Sequence, residues 1–212
     1  MKRSSAALGL AAVAVVGLAG CAAVATPGRS SGRAWRVVYN GYGSVLVGTG
    51  HAADIIALRP ASPSGAQSSH AALVLSRRGW RDMSIEVRMR TTRQLRRPQP
   101  NPWEVGWLLW HYQDDTHFYY LALKPNGWEL GKEDPAYPGN QRYLATGSSP
   151  DFALGRWYVV RVSQHGPAID VTVDGKSLVR VTDTQDPYLS GRVGLYAEDA
   201  SATFQLVSAS SR

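Results

Sequence analysis

The sequence predicts an all-β protein, a two-sheet antiparallel β-sandwich formed by a single domain. Three observations predict it. From Ala34 onward there is no long helical period and no internal repeat. Short segments are instead separated by turn clusters, among them GYG at 41–43, ASPSG at 61–65, PNG at 125–127, GSSP at 147–150 and DGK at 174–176, a spacing typical of sandwiches. Several segments also alternate apolar and polar residues with period two, as strands with one buried face do. The 212 residues suffice for one sizeable core rather than two.

The chain opens MKRSSAALGLAAVAVVGLAGC, with Lys2 and Arg3 before an apolar run, Ala6 to Gly20, that is too short to span a bilayer. Leu18-Ala19-Gly20 then precede the single cysteine, Cys21. This resembles a bacterial lipoprotein signal, which implies cleavage after residue 20 and a palmitate-bearing Cys21. The protein would then be exported, anchored to the bacterial cell membrane and facing outward. An ordinary secretory signal with a chance cysteine is the alternative. A lone cysteine forms no internal disulfide, so its position suits anchoring. Residues 21–33, small, polar and proline-containing, read as a flexible tether, and residues 34–210 as the domain.

Formal charge is +7, and +5 once Lys2 and Arg3 leave. Basic residues are dispersed apart from one cluster, Arg88, Arg90, Arg93, Arg96 and Arg97. An exported protein rarely meets nucleic acid, so that class is set aside. The cluster reads as a solvated face, or as a contact for anionic headgroups or an acidic polymer.

Within the strands, Met83, Ile85, Val87 and Met89 share one face, as do Ile169, Val171 and Val173. Residues 100–134 hold four of seven tryptophans and three of ten tyrosines. Pro125-Asn126-Gly127 reads as a type I turn with a glycine bulge, which pairs Glu129 with Leu123; a two-residue loop would shift that pairing. With Trp128 and Leu130 inward, Glu129, Gly131 and Glu133 point away from the core. Leu108 and Trp110, and Phe118, Tyr120 and Ala122, are then core. Trp107, Leu109, His111, His117, Tyr119, Leu121 and Leu123 fall on the second face. Rings flanked by carboxylate and imidazole suit sugars, whose C–H faces stack on aromatics while their hydroxyls bond the polar groups. A covering loop would make the same rings ordinary core.

The stretches GWLLWHYQDDTHFYYLALKPNGWELGKED, GRWYVVRVSQHGPAIDVTVDGKSLVRVTDT and SGRVGLYAEDASATFQLVS together resemble the concanavalin A-like lectin/glucanase superfamily. Within it they are nearest the laminin-G-like modules and the 3-keto-disaccharide hydrolase type of domain. The resemblance covers about Trp35 to Ser208 and implies a jelly roll with ligands across the concave sheet. Val193 and Leu195 then face the core, and Gly194, Tyr196 and Glu198 the groove. The implied ligand-binding set is Trp107, His111, His117, Tyr119, Glu129, Tyr196 and Glu198.

Laminarinase-like members carry Glu-x-Asp-x-(x)-Glu on one strand. Here Glu129-Leu130-Gly131-Lys132-Glu133 keeps both glutamates but puts glycine where the aspartate belongs. Retaining hydrolysis needs two carboxyls about 5–5.5 Å apart, and residues four apart on a strand start about 13 Å apart. An enzyme would draw on Glu129 with Glu133, Glu198 or His111. A lyase scheme would pair Tyr119 or His117 as base with Lys132 or Arg161. No nucleophile elbow, phosphate loop or His-Glu-x-x-His is present. The histidines at 51, 70, 111, 117 and 165 lack metal-ligand spacing. No cofactor is expected; a structural calcium ion would use Asp114, Asp115 and Asp199. The expectation is a monomeric saccharide-binding protein, with a glycoside hydrolase or polysaccharide lyase as alternative and a protein-interaction module as the weaker one.

Overall fold

The computed structural model describes residues 34–49, 54–65 and 67–211, so the signal and tether expected over residues 1–33 lie outside the described residues. Fourteen strands run in chain order: β1 (Trp35–Tyr39), β2 (Ser44–Thr49), β3 (Asp54–Arg59), β4 (Ala71–Trp80), β5 (Met83–Gln94), β6 (Gly106–Asp114), β7 (His117–Lys124), β8 (Gly127–Glu133), β9 (Gln141–Gly147), β10 (Tyr158–His165), β11 (Ala168–Val173), β12 (Lys176–Thr182), β13 (Gly191–Glu198) and β14 (Ala200–Ser211). The described residues contain no α-helix, only a short 3₁₀ turn at Pro138–Asn140. Two seven-stranded sheets result, ordered β1-β4-β13-β6-β7-β8-β9 and β12-β11-β10-β5-β14-β3-β2, and every pairing is antiparallel.

The inner faces of the sheets make the main core. Met83, Ile85, Val87 and Met89 of β5 enter it, as do Ile169, Val171 and Val173 of β11 and Val193 and Leu195 of β13, all as alternation requires. Trp110, Trp128 and Leu130 join them. At about 25 cal/mol for each Å² of apolar surface removed from water, such side chains contribute roughly 1.5–3 kcal/mol apiece.

Strand β7 is inverted relative to the sequence expectation. Tyr119, Leu121 and Leu123 lie in the inter-sheet core, while Phe118, Tyr120 and Ala122 lie on the outer face. The hairpin explains the inversion. Lys124 pairs with Gly127 across a two-residue loop, so Leu123 opposes Trp128 and Ala122 opposes Glu129. Residues directly opposite share a face, and Trp128 inward therefore carries Leu123, Leu121 and Tyr119 inward with it.

A second irregularity sits in β6. His111 has a positive φ of 45° and the pairing shifts there. Trp110 and His111 consequently both turn inward, and Tyr112 resumes the outer face. Gly191 accommodates the bulge, because a Cβ there would lie 2.3 Å from the His111 carbonyl carbon. Lys132 is wholly buried at the inner end of β8. Its ammonium donates to the Gln185 carbonyl at 2.6 Å and lies 3.1 Å from Asp183. Asp183 also accepts from Tyr119 (2.8 Å) and Arg142 (2.8 Å). Burial opposes the Asp183 charge, yet hydrogen bonds from Tyr119, the Gln185 backbone N–H and Lys132 hold its carboxyl below the usual range.

Candidate functional site

The outer face of the β1–β9 sheet carries the aromatic residues of the 100–134 stretch. Strand pairing lays its side chains out in rows. One row runs Leu73, Tyr196, Trp107, Ala122, Glu129 and Thr146. The next runs Leu75, Gly194, Leu109, Tyr120, Gly131 and Tyr143. A third holds Arg192 with Tyr112 and Phe118 with Glu133 and Gln141. Trp107 stacks on Tyr120 with centroids 4.6 Å apart and tilts against Tyr196 at 5.5 Å, and Tyr112 stacks on Phe118 at 5.6 Å.

These rings are a floor rather than an open platform. Trp107 is 5% exposed and Tyr120 is fully buried. The loop between β5 and β6 reaches over Trp107, whose indole N–H donates to the Trp103 carbonyl at 2.9 Å. What a ligand can reach is the rim: Tyr143, 53% exposed, and the half-buried Phe118, Tyr196, Gln141, Glu129 and Glu198; a third carboxylate, Glu133, is buried among them.

Those carboxylates differ in environment. Glu129 is ion-paired with Lys124. Glu198 accepts from the Tyr196 hydroxyl at 2.6 Å, and burial raises its carboxyl above the usual range. Burial pushes Glu133 up to about 7, with the Glu198 charge adding to the effect. Near neutral pH Glu133 therefore holds a proton for part of the time, and it can donate as well as accept.

Glu129 and Glu133 share this face, but the Tyr120 phenol separates them. A Cβ at Gly131 would lie 2.5 Å from the Tyr120 hydroxyl and 2.8 Å from the Arg142 carbonyl oxygen. The tyrosine fills the niche where the glucanase pattern has an aspartate, so only glycine fits. Gln141 donates to the same hydroxyl at 2.7 Å.

Three expected site residues lie elsewhere. Tyr119 is in the inter-sheet core, donating to Asp183. His111 is buried at the sandwich end, with its ring nitrogens 2.6 Å from the Tyr188 carbonyl and 2.8 Å from that of Arg81. Burial lowers its proton affinity, and the bulge has taken it out of the groove. His117 sits at the β6–β7 turn against Asp114 (2.9 Å), edge-on to Tyr188. The lyase pairing is likewise dismantled, because Lys132 is in the core and Arg161 pairs with Glu86 on the opposite sheet. The calcium candidates are dispersed. Asp114 caps Thr116, Asp115 accepts from Tyr112, and Asp199 binds Arg96. Among the described residues no three His, Cys, Asp or Glu side chains converge on a metal position.

The topology and the position of this face decide the fold. The chain has the jelly-roll fold of the concanavalin A-like lectins and glucanases. It is similar in structure to the carbohydrate-binding module CBM66 from Bacillus subtilis, at 16% identity and a TM-score of 0.60, covering 87% of this chain and 100% of that one. It is also similar to a β-1,3-1,4-glucanase (lichenase) from a mouse hindgut metagenome (12% identity, TM-score 0.55, 84% and 94% covered). A Bacillus licheniformis β-glucanase gives 11% identity and a TM-score of 0.54, with 84% and 91% covered. No family model matches the sequence, and no curated protein matches it.

Sequence reasoning missed the rim residues Tyr143 and Gln141. Their strand, Gln141–Gly147, is mostly half-buried along its whole length, so no period-two signal marks its outer face. Glu133 entered only as a partner of Glu129, and its burial depends on neighbours from other strands.

Proposed function

We propose that this is an exported, lipid-anchored, monomeric protein that binds a saccharide along the outer face of the β1–β9 sheet. The observation that carries the reading is the combination on that face: an apolar aromatic floor with Glu129, Glu133 and Glu198 set in it and Tyr143 exposed at the rim. A solvated sheet face would carry serine, threonine and lysine there. Carboxyl groups beside flat rings match the alternating hydroxyl and C–H surfaces of a sugar. The shared fold of a carbohydrate-binding module and two glucanases supports the same reading. For the anchor, palmitate labelling that disappears in Cys21→Ser is the expected result.

The test is an oligosaccharide array followed by calorimetry on the full chain. Tyr143→Ala and Glu198→Gln each are expected to weaken binding about tenfold, or about 1.4 kcal/mol, with Tm unchanged for Tyr143→Ala. Absence of any saccharide ligand, or affinity indifferent to both changes, overturns the proposal.

One observation favours a second reading, turnover of the bound glycan. A carboxyl held near 7 is what a general acid requires, and Glu198 is the carboxylate coupled to it. Release of new reducing ends that Glu133→Gln abolishes would establish that reading. Tyr120 in place of the aspartate leaves the glucanase arrangement incomplete.

A further inference from the structure

The opposite surface of the sandwich, the outer face of the β12–β2 sheet, has its own composition. Pairing aligns Leu46, Ala57, Thr203 and Arg90 in one row and Gly48, Ile55, Gln205 and Arg88 in the next. Leu46 is 59% and Ile55 41% exposed. Arg88 and Arg90 lie over the Trp157 ring at 5.3 and 4.7 Å from its centroid. Arg59 shares the face, since its neighbour Leu58 is in the core.

The charge on this face is unbalanced. Its acids are taken up, Glu86 by Arg161 and Asp170 by Arg180. No acid among the described residues pairs with Arg59, Arg88 or Arg90, and Arg88 donates to the neutral Gln205 instead (3.1 Å). The result is a sheet surface with three guanidiniums that no acid compensates among the described residues, an indole against two of them and exposed aliphatics on β2 and β3.

The chain enters the domain through β1, the edge strand of the other sheet, on the side of the sandwich where β3 lies. The Trp35 indole at the start of β1 donates to Asp54 at the start of β3 (3.0 Å). The Ala34 carbonyl itself accepts from the Arg77 N–H on β4 (2.8 Å), and the segment from Cys21 spans at most about 45 Å when extended.

We propose that the outer face of the β12–β2 sheet docks on an anionic phospholipid surface, with Leu46 and Ile55 at the headgroup boundary and Arg59, Arg88, Arg90 and Trp157 among the phosphates. Guanidiniums gain from the negative surface potential, and indoles favour the interfacial layer. A bilayer fits better than a compact anion because the charges are spread across the sheet, with Arg88 and Arg90 on β5 and Arg59 two strands away on β3. Docked this way, the saccharide face of the other sheet points away from the membrane. The proposal does not depend on what that face binds.

The test reads orientation on the full chain reconstituted in vesicles. A fluorescent probe is attached at Gly48→Cys, where an added Cβ meets only Ile55 O at 3.8 Å, and in a separate chain at Tyr143→Cys on the opposite face. The unsubstituted chain reports any labelling of Cys21. In vesicles of equal parts phosphatidylcholine and phosphatidylglycerol, a lipid-borne quencher should dim the probe at position 48 and spare the one at 143. High salt should abolish the difference, and each of Arg59→Glu, Arg88→Glu and Arg90→Glu should lower the docked-to-free ratio about fivefold. The salt arm needs no substitution in the basic face, so misfolding of the charge variants leaves the answer intact. Equal quenching at both positions, or the same contrast in phosphatidylcholine alone, overturns the proposal. Retention on an immobilised acidic polysaccharide without any phosphatidylglycerol response assigns the face to a polymer and overturns it too.

Discussion

Replacing Glu133 by glutamine should make the protein more stable at alkaline pH and leave it unchanged in acid. Burial raises this carboxyl from 4.5 to about 7, and only 6% of the residue is exposed, so solvent screening is slight. Each tenfold change in proton affinity corresponds to about 1.4 kcal/mol, which puts the cost of ionising the native carboxyl at about 3 kcal/mol. Below about pH 4.5 the group is protonated in both native and unfolded chains and costs nothing. As pH rises toward 7 the unfolded chain ionises first and binds fewer protons, so native stability falls; above 7 the full cost is present. Glutamine keeps the shape and the hydrogen-bonding capacity without the charge. The free-energy difference between Glu133→Gln and the parent chain should therefore grow from near zero at about pH 4.5 to about 3 kcal/mol at about pH 8. Urea unfolding of both chains across that range measures it, and the slopes contributed by other carboxyls cancel in the difference. Two stability curves running parallel in pH would refute the assignment of a proton to Glu133.

Three further outcomes follow from the packing. Gly131→Asp, which would complete the glucanase pattern, should instead destabilise by about 1–3 kcal/mol, because its Cβ meets Tyr120 and the Arg142 carbonyl oxygen; thermal denaturation checks this. Lys132→Met should cost about 3–5 kcal/mol by leaving Asp183 without its buried ammonium. Because the Asp183 carboxyl lies below its usual range, the stability it contributes is present above that range and lost as pH falls through its lowered value. Trp107→Ala should lose about 3–5 kcal/mol in chemical unfolding, as expected of a floor residue at 5% exposure.

How far the site was legible varies by strand. In β5 the apolar face, Met83 to Met89, alternates with Ser84, Glu86, Arg88 and Arg90, so polarity alone assigned both sides. In β8, Trp128 and Leu130 alternate with two glutamates, and the acids were placed on the outer face from sequence. Strand β7 offers no such contrast. From Tyr119 to Leu123 it is apolar on both faces because both are buried, one between the sheets and one among the groove rings. Only the two-residue hairpin loop and the β6 bulge set its parity, and those moved Tyr119 and His111 out of the groove.

The sequence by itself determined the all-β class, the antiparallel sandwich and the sheet that carries the acids, since period-two alternation is a local property that burial imposes on each strand. The tertiary structure decided which acid is charged, which rings are reachable and which face is basic. Glu133 is raised by neighbours from separate strands, Gly131 is fixed by a phenol eleven positions earlier in the chain, and Arg59 joins Arg88 and Arg90 only because β14 lies between β3 and β5. Such effects depend on distances of a few ångströms between residues remote in the chain, and no periodicity along a single strand encodes them.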